Sequence, residues 1–499
     1  MGELRALLRH SAIYGVGSVV NRAAGLILLP LYLHVLPADE FGLYALVVTT
    51  AEVVTLFAGV GLANAVVRLL VDEVEPRGRG AVVGSALAAL AGVGVGLLLL
   101  AVPAGRYASS LALGTSEHAT VFAIAFATVV FAVVLEVFLG VLRAEKRSGA
   151  YTLWSFAKTL LFLALNLVFL LVLELGVLGI VLGGLLANAL VVSAAVSTLV
   201  RRFPLRFRVA TCRRLLGLGA PLVPAALLDA VVVTVDRYVL AAAAGPAVLG
   251  VYAVAHRLVQ LLRIGVALPF AQIWTVRRLE AEASPPDDAS AIQLANAFNY
   301  FLAVLVLSAL ALALFTPELL VVIARAGYAD AAVLVGPIAV GFVSYTLKWH
   351  FEIGLFHAER TVDMVRASAA TAAAAVPVYL LAVHAAGALG AAIAFAGLNV
   401  ARTALTAWFA ARRSRVVATF DWPAAGYLLA VVATGGAVSA VVVGFEAGVA
   451  AAAKKSVILA AVVIACWFGP AVGQAGREEL PALAREVTAR LSRRLWRRA

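Results

Sequence analysis

From residue 11 to residue 470 the chain is a succession of apolar runs separated by short polar connections. A helix needs about 20 apolar residues to cross the ~30 Å hydrocarbon core of a bilayer. Fourteen runs come near that length, with limits near 11–36, 41–70, 81–102, 119–142, 150–173, 177–200, 217–243, 250–273, 291–315, 333–357, 365–384, 388–411, 424–443 and 450–470. Hydrophobic residues make up 64% of the chain and charged residues 13%. Soluble domains lie nearer half and a quarter. Backbone polar groups in hydrocarbon must be satisfied within the segment, so the runs are expected to be helices. The alternating ten-residue segments of a membrane barrel do not occur in the sequence. The expected class is all-α and polytopic, with about fourteen transmembrane helices. The first run is too long for the roughly 7–15-residue core of a signal peptide, and it carries Arg22.

Net charge is +12, which in a soluble chain would suggest nucleic acid. Here the basic residues sit on alternate connections: Arg5 and Arg9, Arg77 and Arg79, Arg143 to Arg147, Arg201 to Arg214, Arg277 and Arg278, Arg360 and Arg366, and Arg412 to Arg415. Lys/Arg-rich connections stay cytoplasmic. The opposite set holds little beyond Arg106, Arg325 and the pair Lys454–Lys455 at the entry to the last run. This alternation predicts an even number of spans with both termini cytoplasmic, and it removes the need for a nucleic-acid partner. The tail beyond residue 472 repeats Leu480, Leu483, Val487, Leu491 and Leu495 at helical spacing against arginines. It reads as an amphipathic helix on the inner leaflet or as a plain solvated helix. The cysteines, Cys212 and Cys466, do not suggest a disulfide framework, and no zinc-type spacing occurs.

A repeat organises the chain. Pro37-Ala38, followed by Gly42-Leu43-Tyr44-Ala45, aligns across one gap with Pro246-Ala247, followed by Gly250-Val251-Tyr252-Ala253. Each stretch joins an apolar run with internal charges to the next run. The division expected is an N-lobe at 1–200, a basic cytoplasmic linker at 201–216, a C-lobe at 217–415, two further spans at 416–471 and the tail at 472–499. The linker reads as a topology signal or as a hinge touching anionic lipid.

Charges inside the runs cost at least ~2.5 kcal/mol each at a helix centre, so they face a bundle interior or a wet chamber. They group by helical face: Tyr14, Asn21 and Arg22 in run one; Glu52 in run two; Lys158 in run five; Asp229 and Asp236 in run seven; His256, Gln260 and Arg263 in run eight; Lys348 and Glu352 in run ten; Asn399 and Arg402 in run twelve. Cations lead, with Arg22, Arg68, Lys158, Arg237, Arg257, Arg263, Lys348 and Arg402 against Glu52, Glu136, Asp229, Asp236 and Glu352. A chamber with that balance attracts an anion such as a pyrophosphate or an acidic sugar. Other readings stand beside this one. Arg68, Glu136 and Glu352 lie near run ends and can snorkel. Lys348 and Glu352, four apart, can neutralise each other. Asp236 and Arg237 can mark the outer interface, and His256 can be a structural hydrogen-bonding residue. Arg22 and Arg263 are central, where no end effect accounts for them. Glu52, Asp229 and Asp236 are candidates for binding a coupling proton or Na⁺. Pro30, Pro221, Pro224 and Pro269 either bend the helices of runs one, seven and eight or are the prolines that membrane helices ordinarily tolerate.

The stretches Leu36 to Tyr44, Gly59 to Arg68, Val235 to Tyr238 and Leu249 to Tyr252 together resemble the multidrug/oligosaccharidyl-lipid/polysaccharide (MOP) exporter superfamily. The branch most resembled is that of the O-antigen and exopolysaccharide flippases, and the likeness extends over runs one to twelve. It implies two pseudo-symmetric six-helix lobes around a V-shaped cavity and transfer of an undecaprenyl-pyrophosphate-linked oligosaccharide to the outer leaflet. It also implies no cofactor, no catalytic residue, a monomer in the bacterial inner membrane, and dealings with membrane lipids and with polysaccharide polymerase or assembly proteins. Arg22 matches the family's basic residue in the first span. Runs thirteen and fourteen match the count of the lipid II flippases, which use them as a lipid groove, a role left open here. The alternatives are a cation-coupled drug antiporter of the same fold and a membrane glycan polymerase or ligase. The latter needs a large outer loop, whereas the longest here, near 103–118 and 316–332, carry no nucleophile–base set.

Overall fold

The computed structural model describes residues 27–59, 61–271, 274, 288–358, 360–412 and 421–469. Every regular element among them is a helix. In chain order these are α1 (Leu29–Val35), α2 (Ala38–Gly59), α3 (Leu62–Asp72), α4 (Pro76–Leu113), α5 (Ala119–Ala144), α6 (Ser148–Leu167) and α7 (Gly176–Arg202). They continue with α8 (Val209–Gly219), α9 (Leu222–Leu262), α10 (Asp288–Ile323), α11 (Ala331–His357), α12 (Thr361–Ala411), α13 (Trp422–Val442) and α14 (Val449–Phe468). The chain is a multi-pass membrane protein: eleven described stretches are long and apolar enough to cross a bilayer. Two of these are broken, α9 at Gly245 (φ 84°) and α12 at Ala386–Gly387 (φ −146° and 54°). Each is therefore a pair of spans, making thirteen among the described residues. Both breaks fall where the sequence places a connection. At Gly245 the left-handed backbone needs a residue without Cβ. Most of the first expected span, with Tyr14, Asn21 and Arg22, lies outside the described residues, as does the tail from 472.

The helix ends follow local chemistry. Proline opens α4, where its missing N–H costs nothing. Asp39 and Glu40 lie in the first turn of α2, facing the positive end of its dipole. Asp421 accepts the amide of Ala424 at 3.0 Å and caps α13. Helix α4 reaches Leu113 and α10 reaches Ile323, so both expected outer loops, 103–118 and 316–332, are largely helical. The Ala- and Leu-rich sequence carries α4 on until Gly114 turns left-handed (φ 69°).

Two compact units are present: Met1–Arg257 with Ile323–Ala331 and Ser368–Leu398, and Leu258–Val322 with Ala332–Ala367 and Asn399–Ala499. In the first, α5 packs on α3, α4 and α7 through Val66, Leu69, Val83, Val133, Phe138 and Ala195. Lipid tails are as apolar as these side chains, so close van der Waals fit drives the packing. Small residues permit it: a Cβ on Gly105 would stand 2.6 Å from the Ala119 carbonyl oxygen.

The basic connector after α7 is held on this unit. The Arg206 amide donates to the Gly80 carbonyl (3.3 Å), and the Arg208 amide donates to Ser85 Oγ (3.1 Å). Glu145 takes Arg79 at 3.2 Å and Arg202 at 2.6 Å. Part of the expected 201–216 linker is helix α8. In the second unit, buried Lys455 on α14 donates to Glu318 at 2.7 and 2.9 Å and to the Glu446 carbonyl at 2.7 Å.

Candidate substrate cavity

Within the first unit a cavity of about 370 Å³ opens among α2, α5, α6, α7 and the end of α9. Its lining follows helical period. Tyr44, Val48, Glu52 and Thr55 come from one face of α2; Ala125, Thr128 and Ala132 from α5; Lys158 and Phe162 from α6; Ile180, Gly184 and Asn188 from α7; and Arg257 from α9. Residues three and four apart share a face, so short polar repeats in four apolar helices converge on one space. The volume lies within the ~300–1,000 Å³ common for small-ligand clefts.

Two cations and one carboxylate face this space. Lys158 and Arg257 are half-buried, and Glu52 is exposed to the opening. Neither cation forms an ion pair among the described residues. The threonine hydroxyls have spent their protons on their own helices: Thr55 donates to Ala51 (2.7 Å) and Thr128 to Ile124 (2.9 Å). They therefore offer only lone pairs to the cavity. Asn188 does the same, because its Nδ2 donates to Gly184 (2.8 Å) and its buried Oδ1 has no partner. The cavity thus presents ammonium and guanidinium groups suited to phosphate oxygens and acceptors suited to sugar hydroxyls. Asn188 and Thr128 are additions to the residues chosen from sequence. The signal was a lone amide in an apolar run and a threonine one turn from alanines.

A second polar group adjoins on α9. Asp236 is fully buried and accepts the Tyr252 hydroxyl at 2.6 Å on Oδ2 and the Arg237 amide at 2.9 Å on Oδ1. The Arg237 guanidinium donates to the Val233 carbonyl (2.7 Å) and stands 3.8 Å from Asp236. His256 Nε2 is 3.4 Å from Asp236 Oδ2. The imidazole lies between the Tyr252 and Phe395 rings, at 4.6 and 4.8 Å. Asp229 accepts the Ser368 hydroxyl at 3.2 Å.

The remaining residues chosen from sequence lie elsewhere. Arg68 is exposed on α3. Arg263 is exposed at the start of a π-turn after α9 and belongs to the second unit. Lys348, also in that unit, is buried against Glu352 at 2.7 Å. Asn399 and Arg402 are buried there on α12. Gln260 is half-buried. Arg22, Asn21 and Tyr14 are outside the described residues.

Residues 7–274 match the family profile described as polysaccharide biosynthesis protein. No curated protein sequence matches the chain. Among solved structures, the lipid II flippase MurJ in an inward closed conformation is similar with a TM-score of 0.73 at 11% identity, over 91% of this chain and 97% of that one. A multidrug-resistance MATE family transporter of the MOP superfamily, inward-facing, is similar with a TM-score of 0.64 at 17% identity, over 82% and 95%. A MOP superfamily transporter from Pyrococcus furiosus, described as having a binding pocket of reverse polarity, is similar with a TM-score of 0.58 at 17% identity, over 83% and 96%. The fold is the one that this flippase and these transporters share.

Proposed function

Because the chain belongs to the polysaccharide biosynthesis protein family, we propose that it carries a lipid-linked oligosaccharide across the bacterial inner membrane by alternating access, from the cytoplasmic to the outer leaflet. The observation that supports this most is the lining of the 370 Å³ cavity, with Lys158 and Arg257 against Glu52 and with the acceptors of Asn188, Thr55 and Thr128. Two cations bind a pyrophosphate with one charge in excess, and lone-pair acceptors take the hydroxyls of the first sugar. Undecaprenyl pyrophosphate is the carrier this chemistry fits. Arg22, Arg68, Arg237, Arg263, Lys348 and Arg402 are further candidate cations for the transferred anion, beyond the described lining of this cavity. Tyr14, Asn21, His256, Gln260 and Asn399 are candidate polar residues beside them. Glu52, Asp229 and Asp236 are the candidates for ion coupling.

The fourteen-span arrangement belongs to the same proposal. It comprises six-span lobes at 1–200 and 217–415 joined by 201–216, two spans within 416–471 and a cytoplasmic tail at 472–499. The protein acts as a monomer, both termini are cytoplasmic, and a polysaccharide polymerase or assembly protein receives the product.

The test is leaflet transfer in liposomes. Purified protein is reconstituted with a pyrophosphate-linked oligosaccharide, and outer-leaflet glycan is scored with a glycosidase that cannot enter. Transfer that falls in Lys158→Ala, Arg257→Ala and Arg22→Ala supports the reading. Glu52 in the cavity and the likeness to MATE transporters favour a second reading, a cation-coupled antiporter. Drug–cation exchange lost on Asp229→Asn, without glycan transfer in the same vesicles, would establish it instead.

A further inference from the structure

A second cavity, of about 420 Å³, is lined by residues of the second unit. We propose that it is a sugar-binding site, built on Trp349 and Glu352 of α11, which takes one neutral pyranose ring. The origin of that sugar, the glycan of the carrier, rests on the flippase reading.

Helical period assembles the site. Trp349, Glu352 and Phe356 follow one another at intervals of three and four on α11, so they share a face. Phe298 and Phe301 do the same on α10. Phe270 and Trp274 follow the π-turn Arg263–Ala267, and such a turn re-aims every side chain beyond it. Four rings make a stacked wall. Phe301 lies on Phe270 at 3.8 Å, Phe270 on Trp274 at 5.1 Å, and Trp274 on His350 at 5.7 Å.

Trp349 stands apart from this wall. It is half-buried, and its ring neighbour among the described residues is Tyr345, edge-on at 5.9 Å. An edge-on contact covers one face at most, so the indole has a flat face without a ring on it. Glu352 is the polar group beside it. Lys348 supplies the counter-charge, with Nζ 2.7 Å from Oε1, and the second carboxylate oxygen has lone pairs to offer. On the wall, Trp274 is 6% exposed, and its Nε1 is buried without an acceptor. Tryptophans that only mark a membrane interface keep this N–H at the wet end of the ring.

These features select the ligand. Lys348 and Glu352 cancel in charge, so the cavity has no pull of the kind that Lys158 and Arg257 exert on a phosphate. A polyprenyl chain fills space between rings but sets a carboxylate and an N–H against hydrocarbon, which is costly. A pyranose meets both demands. Its C–H face is apolar and packs on the negative face of an indole. Its hydroxyls donate to Glu352, and such charge-assisted bonds are roughly twice as strong as neutral ones. A sugar oxygen accepts from Trp274 Nε1 after a small turn of that indole. The volume is within the range of small-ligand clefts.

The experiment uses free sugars and no carrier, so its failure is distinct from that of the flippase reading. Full-length protein labelled with fluorotryptophan is placed in nanodiscs free of glycosidic detergent. The Trp349 signal in fluorine NMR is assigned as the one missing in Trp349→Tyr. Methyl glucoside, methyl galactoside, methyl rhamnoside and methyl N-acetylglucosaminide are titrated in turn. At least one should move the Trp349 signal to saturation. About tenfold more of it should be needed in Lys348→Met/Glu352→Gln, which removes both charges and leaves no buried ammonium alone. If that variant does not fold, the titration of the parent protein decides by itself. A Trp349 signal that none of these sugars moves, or that a bare polyprenyl phosphate moves, overturns the proposal. In the liposome assay, which does rest on the flippase reading, Trp349→Leu should slow glycan transfer about tenfold and Trp349→Tyr should not. Equal rates in the two would overturn the part of this site in transfer.

Discussion

Gly42 and Gly250 stand at matching places in the internal repeat, and each lies against the backbone of the other's helix. A Cβ on Gly42 would fall 1.8 Å from the Pro246 carbonyl oxygen, and a Cβ on Gly250 would fall 1.9 Å from that of Ala38. The contact is reciprocal, as at a two-fold interface, and only hydrogen at both Cα atoms permits it. The aromatic two residues on is also used in both copies: Tyr44 packs edge-on against Tyr32 at 5.5 Å, and Tyr252 binds Asp236 at 2.6 Å.

Alanine at either glycine must push the two backbones apart. Overpacking typically costs about 1–3 kcal/mol, and a clash with backbone lies at or above the upper end. Gly42→Ala and Gly250→Ala should each lower the unfolding temperature in detergent, and the double variant should lose less than the sum because both changes open one contact. Gly217→Ala on α8 is the control, since nothing lies within 4 Å of its Cβ position. An undisturbed unfolding temperature in Gly42→Ala would refute the close crossing.

Removal of Lys158 or Arg257 should weaken binding of a polyprenyl pyrophosphate by about tenfold or more each, equivalent to about 1.4 kcal/mol per factor of ten. Glu52→Gln removes the opposing charge and should tighten it. Equilibrium binding over a salt series checks both signs, because the cation variants should also lose part of the salt dependence. Equal affinities for Lys158→Ala, Glu52→Gln and the parent protein would exclude this cavity as the anion site.

Asn188 separates head-group charge from glycan recognition. With its Oδ1 unpartnered, Asn188→Leu removes an acceptor without exposing a new unsatisfied donor. The expected outcome is a loss of about 1–3 kcal/mol for a glycosylated carrier and little change for the bare carrier. Binding of the two carriers side by side reads the difference, and an identical loss for both would move Asn188 out of the sugar site.

In the second unit, Lys455 is buried against Glu318 and the Glu446 carbonyl. Lys455→Ala leaves Glu318 without its counter-charge. Breaking such a pair costs about 3–5 kcal/mol when both partners are buried, and less here because Glu318 is partly exposed. Lys455→Ala/Glu318→Ala should recover part of that loss. Thermal unfolding of the single and double variants decides, and a double variant no better than Lys455→Ala would mean that the two do not act as a pair.

The sequence by itself determined the all-α membrane class, the rough limits of the spans that the structure describes, the alternating charge of the connections and the repeat. All of these are set locally, by the length of apolar chain that a bilayer demands, by lysine and arginine placed on alternate connections, and by proline and glycine at turns such as Pro37 and Gly245. The helical faces of Glu52 and Lys158 were also legible, because the 3.6-residue period is a property of one helix, whereas on α9 the cavity takes Arg257 rather than the expected face of His256, Gln260 and Arg263. Only the tertiary structure decided which faces meet. Lys455 read as an outlier to the charge rule at a span entry, but a glutamate 137 residues earlier neutralises it. Asn188 drew no notice in its apolar run until packing placed it in one cavity with two cations. Asp236 is adjacent in sequence to Arg237, yet its shortest hydrogen bond comes from Tyr252, sixteen residues on, across the break at Gly245. Pairing energies depend on distance and burial between helices, and a one-dimensional pattern does not contain either.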